Sequence, residues 1–161
     1  MNYTLLIPVT ENQVLLGLKS KGFLEGKYNG FGGKFEPGET IYQAAVRELK
    51  EECDIEVIDM ELMGIIYFDS PRQETTGVMY TFKVINWKGE PNEVENMKPE
   101  WFDVDDIPYW QMCPDDMYWF PYFLAGKQFE AKFTFDKDMK VLSHDVYEKD
   151  LSSVDIYSVP K

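Results

Sequence analysis

Three glutamates, Glu48, Glu51 and Glu52, stand at i, i+3 and i+4 in the segment 40–53. That spacing puts them on one face of any helix containing them. At ~100° per residue from Ile41, the apolar residues Ile41, Ala45 and Leu49 span an arc from 0° to about 80°. Glu52 then falls at roughly 20° and Glu48 at roughly 340°, in line with the stripe expected to be buried. Like charges at this spacing destabilise a helix by ~0.2–0.5 kcal/mol per pair, and partial burial without a partner costs more. A solvated acidic face is the ordinary account of such a run, but the apolar register counts against it. An oxygen cage for a hard divalent cation removes the conflict. Magnesium takes carboxylate oxygen and leaves octahedral positions for water and substrate phosphate. Arg47, the next residue along, is placed to neutralise or orient one of the carboxylates.

The segment carrying these residues has its own start signal. Thr40 and Gln43 form a capping-box pattern, Pro37 and Gly38 punctuate just before it, and Ala44, Ala45 and Leu49 favour helix. A helix is predicted over 40–53. Immediately before it runs GFLEGKYNGFGGKFEPGE, with six glycines in residues 22–38. Such a stretch, studded with aromatics inside a compact chain, reads as a functional loop whose backbone can approach a ligand. Residues 3–10 and 13–19 read as strands joined by a hairpin turn at Glu11-Asn12. Further strands are expected over 55–68, 76–87, 100–104, 129–135 and 141–147, with an acidic loop at 88–99. A second helix is expected over 114–127, distorted near Pro121. The order is mixed α/β, a sheet packed between helices, in one domain spanning 1–161.

Composition narrows the chemistry. The chain has 161 residues, 44% of them hydrophobic and 16% aromatic, too apolar for disorder. No run approaches the ~20 apolar residues that span a bilayer. The N-terminal MNYTLLIPVTENQ has no basic region, so no signal peptide is expected, and a soluble cytoplasmic protein is. The net charge of −13 argues against a nucleic-acid polymer as partner. It also repels a free triphosphate, so an anionic substrate needs a cation or a local basic patch. Two cysteines (Cys53, Cys113) and one histidine (His144) leave no zinc set, and are expected to be free thiols and a structural histidine.

Residues 33–55, GKFEPGETIYQAAVRELKEECDI, resemble the signature of the Nudix hydrolases. That signature is Gly, five residues, Glu, seven residues, Arg-Glu, an aliphatic, any residue, Glu-Glu, any residue, Gly, an aliphatic. Gly33, Glu39, Arg47, Glu48, Leu49, Glu51, Glu52 and Ile55 are in register, eight of nine fixed positions. Asp54 stands where glycine is usual, a helix-capping position at which Asp can adopt αL at modest cost. The resemblance implies the Nudix αβα sandwich, with a mixed curved sheet, and hydrolysis of a nucleoside triphosphate to the monophosphate and pyrophosphate. It implies Glu48, Glu51 and Glu52 as ligands of Mg2+, with Mn2+ as a substitute and the Gly32 carbonyl as a further ligand. Glu52 is the candidate proton acceptor, Arg47 and Glu39 are supports, and Lys19 is a phosphate contact.

Beyond the signature, GFLEGKYNGFGGK and WFDVDDIPYWQMCPDDMYWFPYFL are similar to the animal-type MutT homologues of that family. Those enzymes clear oxidised purine nucleoside triphosphates, such as 8-oxo-dGTP and 2-hydroxy-dATP, from the nucleotide pool. The likeness implies that Asp115, Asp116 and Asn29 read the base edge, with Thr4, Phe23 and Phe68 in the pocket. Two adjacent carboxyls against an apolar base should not both ionise, so one stays protonated and donates. A helix N-cap is the plainer account of Asp115-Asp116. The chain departs from the pattern at Cys113, where those relatives have a base-stacking tryptophan, leaving Tyr67, Trp110 or Phe68 as substitutes. It departs again at Ser70, where they have phenylalanine. Asn96 stands at a family acid position, with Glu93 and Glu95 nearby. A monomer acting on a small-molecule nucleotide is expected. The alternatives are a Nudix hydrolase of another substrate (a methylated or ordinary dNTP, or a nucleoside diphosphate linked to another group) and a catalytically silent binding module of the same fold.

Overall fold

Side chains alternate across a strand, and the first two strands use that alternation to build two cores at once. In β1 (Asn2–Pro8), Leu6 joins one buried cluster and its neighbour Ile7 another. In β2 (Gln13–Lys19), Leu15 belongs to the first cluster, Val14 and Leu16 to the second. The computed structural model describes residues 1–72, 76–94 and 96–161. The remaining strands are β3 (Tyr28–Asn29), β4 (Glu56–Asp69), β5 (Gly77–Lys88), β6 (Met97–Asp103), β7 (Phe129–Phe135) and β8 (Val141–Glu148). Among the described residues two α-helices, α1 (Ile41–Cys53) and α2 (Asp116–Leu124), accompany them.

Five strands form a mixed sheet in the order β1-β5-β4-β7-β8, and three form a second sheet, β3-β2-β6. β1 runs parallel to β5, β4 antiparallel to β5 and parallel to β7. α1 packs against β1 and β4 and supplies Ile41, Ala45, Leu49 and Cys53 to the first cluster. α2 packs against β7 and β8 and supplies Trp119, Phe120 and Phe123 to the second. The helices therefore cover opposite faces, the expected αβα layering. A register shift between Leu62 and Gly64 keeps β4 in phase with both cores. Leu62 and Ile65 share the α1 face, and Met63 and Ile66 share the α2 face. Gly64 is bare because a Cβ there would collide with the Phe129 ring.

Three expectations are corrected. The turn at Glu11-Asn12 closes with Thr10 N–H on the Gln13 carbonyl, but β1 and β2 then part into different sheets. β1 finds its second partner in the glycine-rich stretch instead, where Leu6 and Phe31 exchange backbone hydrogen bonds of 2.6 and 2.9 Å. β6 starts at Met97, three residues before the expected strand, and includes Pro99. It lies at a sheet edge, where a missing N–H is tolerated. The second helix is shorter than expected, running from Asp116 to Leu124 with Pro121 inside it. The stretch between the expected strands 55–68 and 76–87 includes residues 73–75, which lie outside those described.

The chain after β8 returns to α1. Leu151 is buried in the first cluster, with Val154 and Ile156 packed beside it. The Ser158 and Ile156 carbonyls accept the Ile41 and Tyr42 amides at 3.2 and 2.8 Å. Those are two of the four N–H groups a helix leaves unpaired at its start. The Thr40/Gln43 capping box forms as expected and satisfies another. Leu151→Ala should therefore destabilise the protein by ~2–5 kcal/mol, read by urea unfolding. A loss below ~0.5 kcal/mol would mean that this segment does not hold the core.

Candidate active site

α1 presents its glutamates to the glycine-rich stretch, and each is held differently. Glu48 is buried, with its carboxylate against Gly33, where a Cβ would lie 2.8–2.9 Å from it. Glu52 is half-buried and accepts the Gly32 N–H at 2.7 Å. Glu51 is exposed. A Cβ on Gly32 would also run into the Thr4 carbonyl oxygen. Both glycines are thus needed for the backbone to pass between β1 and the helix.

Arg47 connects the set. Its Nε and Nη2 bond both oxygens of Glu39 at 2.8 and 2.9 Å, and its Nη1 reaches Glu48 at 2.8 Å and Glu51 at 3.1 Å. Nη2 also donates to the Lys34 carbonyl at 3.2 Å. Glu39 itself accepts the Glu36 N–H, so the fork ties the loop to the helix. The Arg47 contact holds the Glu39 carboxyl below its usual range, and Glu39 in turn raises Arg47 further from deprotonation. At the far end of α1, Asp54 adopts αL with φ 60° and caps the Lys50 carbonyl. Its carboxylate is met by Lys50 at 3.1 Å and Asn92 at 3.2 Å, contacts a glycine would lack.

Beside the glycine-rich stretch lies a cavity of about 280 Å³. Thr4, Lys19, Phe23, Asn29, Gly32, Glu52, Phe68 and Asp115 line it. The Thr4 hydroxyl is buried and, among the described residues, has no hydrogen-bond partner. Asn29 donates its side-chain amide to the Lys27 carbonyl at 3.2 Å. Phe23 carries the Arg72 guanidinium 4.9 Å above its ring. Asp116 is buried and does not line the cavity; Asp115 does. Asp115 stands at the start of α2, but its side chain makes no capping bond there. It accepts the Trp119 indole N–H at 3.3 Å instead. Burial lifts both carboxyls above their usual range, and the Asp115 charge lifts Asp116 further.

Of the substitute stacking surfaces, Phe68 lines the cavity, whereas Tyr67 and Trp110 do not. Trp110 is 81% exposed. Cys113 does line it, with its thiol pushed up by burial and then by the Asp115 and Asp116 charges. Ser70 bonds Thr76 and Arg72 outside the cavity. Glu93 and Asn96 are exposed, and Glu95 lies outside the described residues. Sequence reasoning missed Leu5, Lys34, Met79, Phe135 and Met139 on the lining. Leu5 and Met79 alternate like any core strand residue, and Phe135 and Met139 come together only around the β7–β8 turn.

Among the described residues, no three His, Cys, Asp or Glu side chains are grouped as a metal cluster. Glu48 and Glu51 are shared by Arg47, and Glu52 is turned to the Gly32 amide. The donor set still suits a hard cation: three carboxylates on one helix turn beside side-chain-free backbone, with no thiolate or imidazole. No helix is long and apolar enough to cross a membrane among the described residues.

Comparison with known proteins agrees with this geometry. The NUDIX domain family profile matches residues 3–123. The chain is 43% identical over 145 residues to an oxidized purine nucleoside triphosphate hydrolase of Danio rerio, covering 90% of this chain and 93% of that one. It is 40% identical to the protein of the same name in Mus musculus, covering 92% and 95%. A solved MutT protein from Bacillus halodurans superposes with TM-score 0.78 at 29% identity, covering 90% of this chain and 96% of that one.

The Arg47 fork has a pH signature. Glu39 is depressed in the folded state, so its contribution is present at neutral pH and is lost as pH falls through the folded value. In Arg47→Met that depression is gone. The stability lost between about pH 7 and about pH 3, read by urea midpoints, should be smaller than in the wild type. Equal losses would show that Arg47 does not set the Glu39 ionisation.

Proposed function

The chain belongs to the Nudix family of hydrolases, and we propose that it is a diphosphatase of oxidised purine nucleoside triphosphates. It releases the monophosphate and pyrophosphate from nucleotides such as 8-oxo-dGTP and 2-hydroxy-dATP, and so clears them from the nucleotide pool. One observation carries the reading. Glu52 of α1, one of the signature carboxylates, lines a cavity of about 280 Å³ that also has Asn29 and Asp115 on its wall. The names of the Danio rerio and Mus musculus relatives point to the same substrates.

Glu48, Glu51 and Glu52, with the Gly32 carbonyl, would hold a divalent cation, magnesium by its oxygen donors, with manganese as the substitute. Such a cation supplies charge neutralisation at the phosphates and makes water more acidic. The chain's own residues do the rest. Arg47 and Glu39 fix the rotamers of the helix carboxylates, as their shared hydrogen bonds indicate. Glu52, on the cavity wall, accepts the proton of the attacking water at its carboxylate. Lys19 and Lys34, also on that wall, offer positive charge to the phosphates of a substrate entering a protein of net charge −13. Phe23 and Phe68 give the base apolar contact, the Thr4 hydroxyl and Asn29 offer polar contacts, and Asp115, with the buried Asp116 behind it, reads the base edge.

The reading takes residues 1–161 as one domain, because Leu151, Val154 and Ile156 join the core around α1. It takes the protein as a cytoplasmic monomer acting on small nucleotides, in keeping with two free cysteines and the acidic charge.

Pyrophosphate release should be higher, in kcat/KM, for 8-oxo-dGTP and 2-hydroxy-dATP than for dGTP and dATP. Equal values would sink the substrate assignment in favour of another nucleotide. Glu52→Gln should lower kcat at least about a hundred-fold with saturating magnesium, and unchanged turnover would remove Glu52 from the chemistry.

A further inference from the structure

Three non-glycine residues among those described have the positive φ that L side chains avoid: Asp54 at 60°, Leu24 at 65° and Met139 at 64°. Asp54 ends α1, where a short polar side chain tolerates it. Leu24 and Met139 are long and apolar, come from distant parts of the chain, and line the same cavity. The Glu25 N–H on the Gly22 carbonyl, at 3.1 Å, closes a turn with Leu24 at its third position, where glycine or asparagine is usual. The same loop does use glycine at positive φ, at Gly22 and Gly26, with open space around both. Met139 closes the β7–β8 turn with its N–H on the Asp136 carbonyl at 3.1 Å. The Asp136 carboxylate clamps that turn by accepting the Asp138 and Lys140 amides at 2.8 and 2.9 Å. Among the described residues Leu24 packs on neither buried cluster, whereas Met139 rests against the second.

A leucine or methionine in left-handed backbone is disfavoured relative to glycine, so the folded chain holds strain at both turns. Core packing does not account for it at Leu24. Resting on the reading of this cavity as the base site, we propose that Leu24 and Met139 are binding residues for the nucleobase, held in strained turns because their side chains serve the ligand. From two separate loops they bring aliphatic and thioether surface to the cavity, where a flat base leaves water for an apolar wall. Both side chains rotate freely enough to follow the outline of the base, which a rigid aromatic ring does not. The consequence is that a single substitution moves affinity and stability in opposite directions. Removing the Leu24 side chain relaxes its turn and loosens the hold on the nucleotide. A leucine that served the core would lose stability instead.

The test compares Leu24→Gly and Met139→Gly with the wild type on 8-oxo-dGTP and dGTP. KM should rise at least about five-fold in each variant, and by more than kcat changes. The dissociation constant of the product 8-oxo-dGMP, read by calorimetry, should rise with it. The thermal midpoint of Leu24→Gly should equal or exceed that of the wild type, because glycine relieves the turn. Leu24→Met and Met139→Leu keep an apolar side chain on the same backbone and should hold KM within about two-fold of the wild type. Unchanged KM in either glycine variant, or a lower midpoint in Leu24→Gly, would overturn the inference. The outcome is separable from that of the broader proposal. If both nucleotides are cleaved alike and KM rises for both, the oxidised-purine assignment falls and the role of Leu24 and Met139 stands. If 8-oxo-dGTP is preferred and KM does not move, the assignment stands and this role falls.

Discussion

The site depends on one ionic constraint: a guanidinium must be shared among carboxylates that the helix periodicity turns inward. Glu48 lies on the buried side of α1, next to Gly33. Without a partner its desolvation would work against the helix. Arg47 resolves this with a planar fork, two bonds to Glu39 and one each to Glu48 and Glu51, a geometry that an ammonium cannot reproduce. Because Glu39 also accepts a backbone amide of the preceding loop, the same fork joins the helix to the glycine-rich stretch. The capping box and the C-terminal segment act at the helix start, where they satisfy amides and leave the carboxylate face open.

The second constraint is the division of the strands. β1 and β2 meet at a tight turn but separate into two sheets, so the glycine-rich stretch can enter and pair with β1. This brings Gly32 and Gly33 over the glutamates and Asn29 to the pocket wall. The pocket is an unfilled end of the α2-side core. Leu5, Phe68 and Met79 pack on that cluster and also line the cavity. On the proposed reading, a purine in this place would complete a hydrophobic face that the protein leaves short, with Asp115 and the Thr4 hydroxyl as polar contacts within an apolar wall.

The strongly negative charge fits a small anionic substrate only through local arrangement. Lys19 and Lys34 stand at the cavity, and Arg72 lies over Phe23. At the opposite end, burial raises both the Asp115 and the Asp116 carboxyl above the usual range, which opposes setting two anions side by side there.

The reaction class was legible in the residues because helical periodicity is local. The spacing of Glu48, Glu51 and Glu52 against Ile41, Ala45 and Leu49 exposed the conflict, and the Thr40/Gln43 cap and the Asp54 αL turn formed as local rules require. The strand content and two-helix layering were readable for the same reason. The partnering of strands was not: a β1–β2 hairpin and a β1–β5 pairing make the same demands on the sequence of β1, and only the competition among distant segments decides between them. The pocket wall was legible in part: of the residues the resemblance named, Asn29 lines it, and so does one of the pair Asp115 and Asp116. Their inequality was not, since only packing buries Asp116 while leaving Asp115 on the wall. Tyr67 and Trp110 looked as suited to stacking as Phe68 until the fold turned them away from the cavity. Residue type and spacing determined what chemistry the chain can perform; which side chains share a cavity, and which of two adjacent acids lines it, was decided by tertiary structure, because burial exists only once the chain has folded around them.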